Sequence, residues 1–140
     1  MKTLLDINKE LKIVFPVHPR TRCRMGEFGI DVTEFHLLEP MPYLEFLALT
    51  RDATVVITDS GGIQEETTYL KVPCLTLRDN TERPVTVDLG TNVLVGQESI
   101  RLRNEVSRIL EGRGKAGTVP PFWDGKASER IADVLEKVLR

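Results

Sequence analysis

A strand pattern that passes through a turn of small residues directly into a helix is the feature that most restricts the fold of this chain. Residues 53–57 have the pattern of a strand buried on both faces, and a helical pattern runs from Ile63 to Leu70. The residues between them, 58–62, are Thr-Asp-Ser-Gly-Gly. Because a strand followed by a helix is the repeating unit of parallel α/β sheets, the sequence predicts that fold class.

The start of this helix has the properties of a phosphate site. The first backbone N–H groups of a helix have no intrahelical partner and carry the positive end of the dipole, which favours an anion. Gly61 and Gly62 lack a Cβ, so a pyrophosphate can approach the backbone, and the Ser60 hydroxyl either caps the helix or donates to phosphate. A purely structural interpretation also stands: an N-cap, a tight turn, and Glu65 and Glu66 complementing the dipole.

A second polar segment, residues 77–84, follows the short apolar run 73–77. Loops at the carboxyl ends of parallel strands line one crevice, so we expect this segment and the Ser60 turn to share a rim. Arg83 is suited to a bidentate phosphate contact, and Pro84 to the first turn of a helix. The alternative for Arg83 is an ion pair with a glutamate on a solvated loop.

A third strand pattern, residues 12–17, ends at His18-Pro19-Arg20-Thr21. His18 is suited to hydrogen-bond a phosphate or to transfer a proton, although a single loop histidine is more often structural or merely exposed. His36, within the apolar run 35–38, is interpreted as a packing residue.

Residues 18–21, 58–66 and 78–84 together resemble the non-hydrolysing UDP-N-acetylglucosamine 2-epimerase family. The run 59–66, Asp-Ser-Gly-Gly-Ile-Gln-Glu-Glu, is the most specific part, and the resemblance extends from about Leu11 to the carboxyl end. It implies an α/β fold with a Rossmann-like parallel sheet and helices on both faces. That domain is the carboxyl-terminal half of a glycosyltransferase-B-type two-domain fold.

The resemblance also implies a site and a reaction. In the family, UDP is eliminated to leave a 2-acetamidoglucal and then adds back to give the UDP-N-acetylmannosamine epimer, and no metal or redox cofactor is implied. The implied residues are His18 as the catalytic residue and Phe46, Ser60, Gly61, Gly62, Glu66 and Arg83 as UDP-binding residues.

Each implied residue has its own role. Ser60 and the two glycines match the turn around the diphosphate, and Glu66 matches the acid that binds the ribose hydroxyls. Arg83 matches an arginine near the diphosphate and sugar, and His18 a histidine at the leaving UDP. Phe46 matches the position whose backbone meets the uracil.

The resemblance covers one domain of a longer family. The acids that remove the C2 proton belong to an amino-terminal domain, so we expect this chain to bind nucleotide but to be inactive alone. Residues 1–117 are predicted to form a truncated UDP-binding domain, and 118–140 a helix that packs across to the amino-terminal domain. The expected partners are UDP or a UDP-N-acetylhexosamine, that domain or a complementary chain, and a second copy in a homodimer.

Composition fits a single domain of 140 residues. A net charge of -2 with interspersed acids and bases gives no electrostatic argument for nucleic acid or an anionic membrane as a partner. No apolar stretch reaches the length of a membrane span and no signal-type start is present, so we expect a cytoplasmic protein. Cys23 and Cys74 are expected to be free thiols.

The predicted elements after a helix over residues 1–12 are parallel strands joined by helices. Strands are expected near 12–17, 34–38, 54–58, 74–77 and 92–95, with helices over 42–50, 63–70 and 100–110 and an uncertain crossover at 25–30. Residues 111–117 are predicted to be a flexible linker. The last helix carries apolar residues at helical spacing, from Ile131 to Leu139, and needs a partner surface.

Two other functions remain open from the sequence. One is a stand-alone UDP or UDP-sugar binding module, and the other is the carboxyl-terminal domain of a glycosyltransferase-B-type transferase. Gln64, Glu65 and the triplet 82–84 favour the epimerase over the transferase.

Overall fold

The computed structural model describes residues 2–139 of the chain and shows alternating strands and helices. These residues fall into two compact units, one running up to Ala53 together with Glu98–Gly114, the other Thr54–Gln97 together with the segment from Lys115 onward. In chain order the elements are α1 (Lys2–Asn8), β1 (Val14–Pro16), α2 (Pro19–Glu27), β2 (His36–Leu38), α3 (Tyr43–Arg51), β3 (Val56–Thr58), α4 (Gly61–Leu70), β4 (Cys74–Thr76), α5 (Pro84–Asp88), β5 (Asn92–Leu94), α6 (Ser99–Leu110) and α7 (Ala127–Leu139).

The first unit contains a parallel pair of strands with helices around it. Strands β1 and β2 pair in the register Val14 with His36, and α1 lies against α6, where Arg103 pairs with Asp6. The helix α2 begins at Pro19, much earlier than the predicted crossover at 25–30, because proline at the first helical position costs no hydrogen bond. His36 is exposed, so its interpretation as a packing residue is wrong; its neighbour Phe35 is buried instead.

The second unit contains a parallel sheet in the order β3-β4-β5. The central strand β4 is buried along its whole length, whereas Val56 and Ile57 of β3 are only half-buried. The prediction of full burial was therefore wrong for 53–57, because β3 lies at the edge of this sheet and β4 takes the central place. Burial raises the pKa of the Cys74 thiol on β4, which keeps it protonated at neutral pH.

The segment 111–117, for which the sequence predicts a flexible linker, makes defined contacts within each of the two units. Gly112, at φ +71°, ends α6 in a Schellman motif, with the Arg113 amide donating to the Arg108 carbonyl at 2.7 Å. Beyond it, Lys115 Nζ donates to the Asn92 carbonyl at 3.0 Å, and Gly117 lies directly against the backbone of Gly90. Glycine is needed at 112 for its positive φ and at 117 for the close approach to Gly90, so each of these two glycines has a structural role.

Helix α7 presents the apolar face that its sequence predicts, and that face is exposed. Its apolar residues Ile131, Val134, Leu135, Val138 and Leu139 are 52–81% exposed. Within residues 2–139, no helix is both long and apolar enough to cross a membrane. Both cysteines are free thiols, as predicted; Cys23 is exposed and Cys74 is buried.

Candidate phosphate-binding site

The start of α4 lies where β3 ends, in the second unit. Ser60 is the N-cap, with φ -83° and ψ 131°, but its hydroxyl makes no capping hydrogen bond. The turn is held instead by Thr58, whose Oγ1 accepts from the Ser60 amide at 3.0 Å. The fold therefore places Ser60 at the helix start without using its hydroxyl there.

The two glycines of this turn are not required by local packing. Neither has a positive φ, since the glycines with positive φ among the described residues are Gly29, Gly96, Gly112 and Gly125. A Cβ at Gly62 would meet nothing within 4 Å, and one at Gly61 would meet the Glu82 carboxylate at an ordinary 3.6 Å. At Gly62 the missing side chain leaves the first turn of α4 open to an anion, and at Gly61 the nearest group is the exposed Glu82 carboxylate.

Arg83 comes to the same helix from the loop that follows β4. Its Nε lies 3.1 Å from Glu65 Oε1 on α4, and both side chains are more than 40% exposed. The predicted common rim of the Ser60 turn and the Arg83 loop is therefore present in this unit. A solvated pair of this kind adds little stability, so the guanidinium is available to exchange Glu65 for phosphate oxygens.

Glu82 does not compete for Arg83 through its carboxylate. Its Oε1 accepts from Arg78 Nη2 at 3.1 Å, so the loop residues 78 and 82 pair with each other. The predicted ion pair of Arg83 with a glutamate is thus formed with Glu65 on α4, and not with Glu82 in the same loop. This brings a positive charge against the first turns of α4.

Glu66 is half-buried on α4, just beyond the phosphate-type turn. A carboxylate at this distance along the helix has two oxygens with which to accept hydrogen bonds from a diol. The geometry places Ser60, Gly61, Gly62, Glu66 and Arg83 in one compact unit of the chain.

His18 and Phe46 belong to the first unit. His18 is exposed and is the N-cap of α2: its Nδ1 accepts from the Arg20 amide at 3.3 Å. In the neutral imidazole the proton then lies on Nε2, the nitrogen that remains available to donate. Phe46 is half-buried in the first turn of α3, where its amide donates to the Pro42 carbonyl at 3.0 Å.

A buried polar cluster under the phosphate-type turn was not predicted from the sequence. Gln64, Thr76, Thr86 and Asn92 are each 0% exposed. The signal was available in α4, because Gln64, Thr67 and Thr68 fall at the i, i+3 and i+4 positions that face a core, and all three are buried. Asn92 gave no such signal, since an asparagine at the start of a strand is commonly a turn residue.

The structure contains no metal-type cluster in the part of the chain it describes. No group of three or more histidine, cysteine, aspartate or glutamate side chains is placed to hold an ion among residues 2–139.

The family model described as UDP-N-acetylglucosamine 2-epimerase matches residues 1–136. The chain belongs to the UDP-N-acetylglucosamine 2-epimerase family. The enzyme of that name from Methanocaldococcus jannaschii is 46% identical over 128 residues, which are 88% of this chain and 34% of the relative. The one from Escherichia coli strain K12 is 38% identical over 135 residues, 92% of this chain and 36% of the relative.

Solved structures of 2-epimerases share the fold. The M. jannaschii enzyme in complex with UDP-GlcNAc and UDP superposes with a TM-score of 0.82 at 41% identity, over 97% of this chain and 39% of that one. The Neisseria meningitidis enzyme bound to UDP-GlcNAc superposes with a TM-score of 0.81 at 34% identity, over 97% of this chain and 39% of that one.

The 2-epimerase family match confirms the resemblance and the fold class. The parallel sheets flanked by helices correspond to the carboxyl-terminal part of these glycosyltransferase-B-like structures. The chain spans about a third of the length of the M. jannaschii relative, whose matched share is 34%. Between the open interpretations, membership favours the 2-epimerase over the transferase.

Proposed function

We propose that this chain is the UDP-binding part of a UDP-N-acetylglucosamine 2-epimerase that interconverts UDP-GlcNAc and UDP-ManNAc. One observation carries the proposal: the start of α4 is open at Gly62, and Arg83 is held beside it, with its Nε 3.1 Å from Glu65 Oε1. A helix N-terminus and a guanidinium are complementary to the diphosphate of UDP. A relative that binds UDP-GlcNAc and UDP shares this fold at 41% identity.

The proposed binding mode assigns each part of the nucleotide to a residue. The diphosphate receives hydrogen bonds from the Ser60 hydroxyl and the first N–H groups of α4, while Arg83 exchanges its carboxylate partner for phosphate. Glu66 accepts from the ribose hydroxyls. For the first unit, we propose the roles that the family resemblance implies: the backbone at Phe46 for the uracil and His18 for the departing UDP.

The proposed reaction needs groups beyond these. A base removes the C2 proton as the bond between C1 and the UDP oxygen breaks, which leaves the glucal and UDP; UDP then returns to C1 as C2 is protonated from the opposite face. The family resemblance assigns the C2 acids to an amino-terminal domain. We therefore propose that the chain acts with that domain or with a complementary chain. We further propose that it acts in the cytoplasm, as a homodimer, and without a metal or redox cofactor.

Binding is tested by calorimetric titration of the 140-residue chain with UDP and, in parallel, with UMP. We expect saturable UDP binding and at least about tenfold weaker UMP binding, because UMP lacks the second phosphate that α4 and Arg83 hold. A double variant, Arg83→Ala with Glu66→Ala, should lose most of the UDP affinity. Arg101→Ala, on the exposed side of α6, is the matched control and should leave it unchanged.

Two results would contradict the binding proposal. Absence of UDP binding by a well-folded chain would show that this turn is not a nucleotide site in the chain by itself. Equal affinity for UDP and UMP would remove the diphosphate from the interaction. Incubation with UDP-GlcNAc, followed by anomer-resolved NMR, should show no UDP-ManNAc from the chain alone; product formation would overturn the assignment of the C2 chemistry to another domain.

A further inference from the structure

We propose that Gln64 and Thr81 form a positioning pair that fixes Arg83 at the start of α4. The inference rests on the proposed function in one respect, since it names how the UDP-binding arginine is held. It arises from hydrogen bonds that lie beneath the site and do not touch the open surface of the turn.

Thr81 is the link between Gln64 and Arg83. Its Oγ1 donates to Gln64 Oε1 at 2.6 Å and accepts from the Arg83 amide at 2.9 Å. A hydroxyl has one proton to donate, so the bond to Gln64 directs a lone pair of Oγ1 towards the Arg83 amide. The Arg83 amide is thereby tied to α4 through one side chain.

The Arg83 carbonyl is held in a second way. Thr86 Oγ1 donates to this carbonyl at 2.7 Å, and Thr86 Oγ1 itself accepts from Asn92 Nδ2 at 3.1 Å. Asn92 Nδ2 also donates to Gln64 Oε1 at 3.0 Å. Both peptide groups that flank the Arg83 side chain are therefore connected to the amides of Gln64 and Asn92.

This network is anchored in the core of the sheet. Thr76 Oγ1, on the central strand β4, donates to Asn92 Oδ1 at 2.6 Å. Gln64 and Asn92 are fully buried, whereas the Arg83 side chain is 46% exposed. The backbone of Arg83 is fixed from inside, and its guanidinium is left free to reach the surface of α4.

Gln64 acts in this network through its oxygen. Its Oε1 accepts two hydrogen bonds, while its buried Nε2 finds no protein acceptor among the residues described. An amide that leaves its donor unused at a fully buried position is unfavourable for packing alone. The acceptor bonds to Thr81 and Asn92 are the function that the side chain performs there.

The pair is tested with Thr81→Val, which keeps the shape and removes the hydroxyl, and Thr81→Ser, which restores it. Amide hydrogen exchange of Arg83 in the ligand-free chain should be at least about tenfold faster in Thr81→Val than in wild type, and near wild type in Thr81→Ser. The Kd for UDP should rise about tenfold in Thr81→Val and be restored by Thr81→Ser. Thr33→Val, which removes another loop hydroxyl that bonds a neighbour, is the control and should change neither.

A double-mutant cycle separates positioning from general destabilisation. Once Arg83→Ala has removed the guanidinium, Thr81→Val should cost no further UDP affinity. Gln64→Met, which keeps volume and removes the acceptor, should repeat the Thr81→Val effects on exchange and on Kd.

The inference is overturned if the amide exchange of Arg83 is unchanged in Thr81→Val. It is also overturned if Thr81→Val lowers the affinity for UDP as much in the Arg83→Ala background as in the wild type. Failure of the proposed function looks different, because wild type then binds no UDP at all. The exchange measurement needs no ligand, so it decides on the positioning of Arg83 in either case.

Discussion

Gly117 shows how one residue without a side chain determines the path of the chain after α6. A Cβ there would stand 2.4 Å from the Gly90 carbonyl carbon and 2.6 Å from the Thr91 amide nitrogen. Next to it, the Thr118 amide donates to the Leu89 carbonyl at 2.8 Å. The segment therefore packs at a separation from the turn before β5 that only glycine permits.

Gly117→Ala is expected to lower the free energy of unfolding by about 1–3 kcal/mol, because backbone atoms must move to admit the methyl group. Urea denaturation followed by circular dichroism measures this. Gly26→Ala, in α2, is the matched control. The added Cβ has no atom within 4 Å, and alanine favours the helix over glycine, so the free energy of unfolding should rise by up to about 1 kcal/mol. Equal stability of Gly117→Ala and wild type would show that the segment is not packed as the structure has it.

At the scale of elements, α7 begins next to a charged pair. Asp124 Oδ1 accepts from Arg130 Nη1 at 2.9 Å and from the Lys126 amide at 3.1 Å, and Arg130 lies 5.1 Å over the Phe122 ring. The hydrogen bonds from Arg130 and Lys126 hold the pKa of Asp124 far below its ordinary value. The carboxylate ties the residues before α7 to the first turn of the helix.

This pair predicts a specific pH dependence. Because the folded pKa of Asp124 is depressed, its stabilising effect is fully present above the ordinary value of 3.8 and is lost as pH falls through the folded pKa. Arg130→Gln should raise the Asp124 titration midpoint towards 3.8, measured by NMR of the side-chain carboxyl carbon. Arg101→Gln, on α6 of the first unit, removes a guanidinium that does not bond Asp124 and should leave that midpoint in place. A midpoint that Arg130→Gln does not change would refute the pairing.

At the scale of the whole molecule, α7 carries an exposed apolar face formed by five residues of one helix. Val138 and Leu139 are 75% and 81% exposed, and Ile131 is 60% exposed. Contiguous apolar patches on a helix of this kind indicate an interaction surface. The family resemblance predicts that this face packs on an amino-terminal domain, so we expect it to be available to a second copy when the chain is alone.

We expect the 140-residue chain to self-associate through this face. Light scattering after size exclusion should give a mass above 15.8 kDa that grows with loading concentration. Val134→Lys, on the apolar face, should shift the chain towards the monomer, whereas Asp133→Lys introduces the same side chain on the polar face and should not. A monomer at high concentration would show that the face does not drive association.

Much of the fold follows from local pattern. Each of the five predicted strand regions contains a strand in residues 2–139, and all the pairs they form are parallel. Short β-branched runs and helical spacing of apolar residues reflect both the local backbone preference and the burial of one face. They therefore predict strands and helices without information on long-range contacts. The run 59–66 likewise predicted the family, because its residue types and their spacing are specific to it.

The sequence by itself determined the order of the elements, the parallel α/β class and the family to which the phosphate-type turn belongs. Only the tertiary structure decided that β4 and not β3 is fully buried, that Arg83 pairs with Glu65, and that Gln64, Thr81 and Asn92 connect α4 to the Arg83 loop. These contacts join residues up to 28 positions apart, as from Asn92 to Gln64. Periodicity in the sequence reports which face is buried, but the identity of a partner depends on how elements pack, and no local pattern contains that.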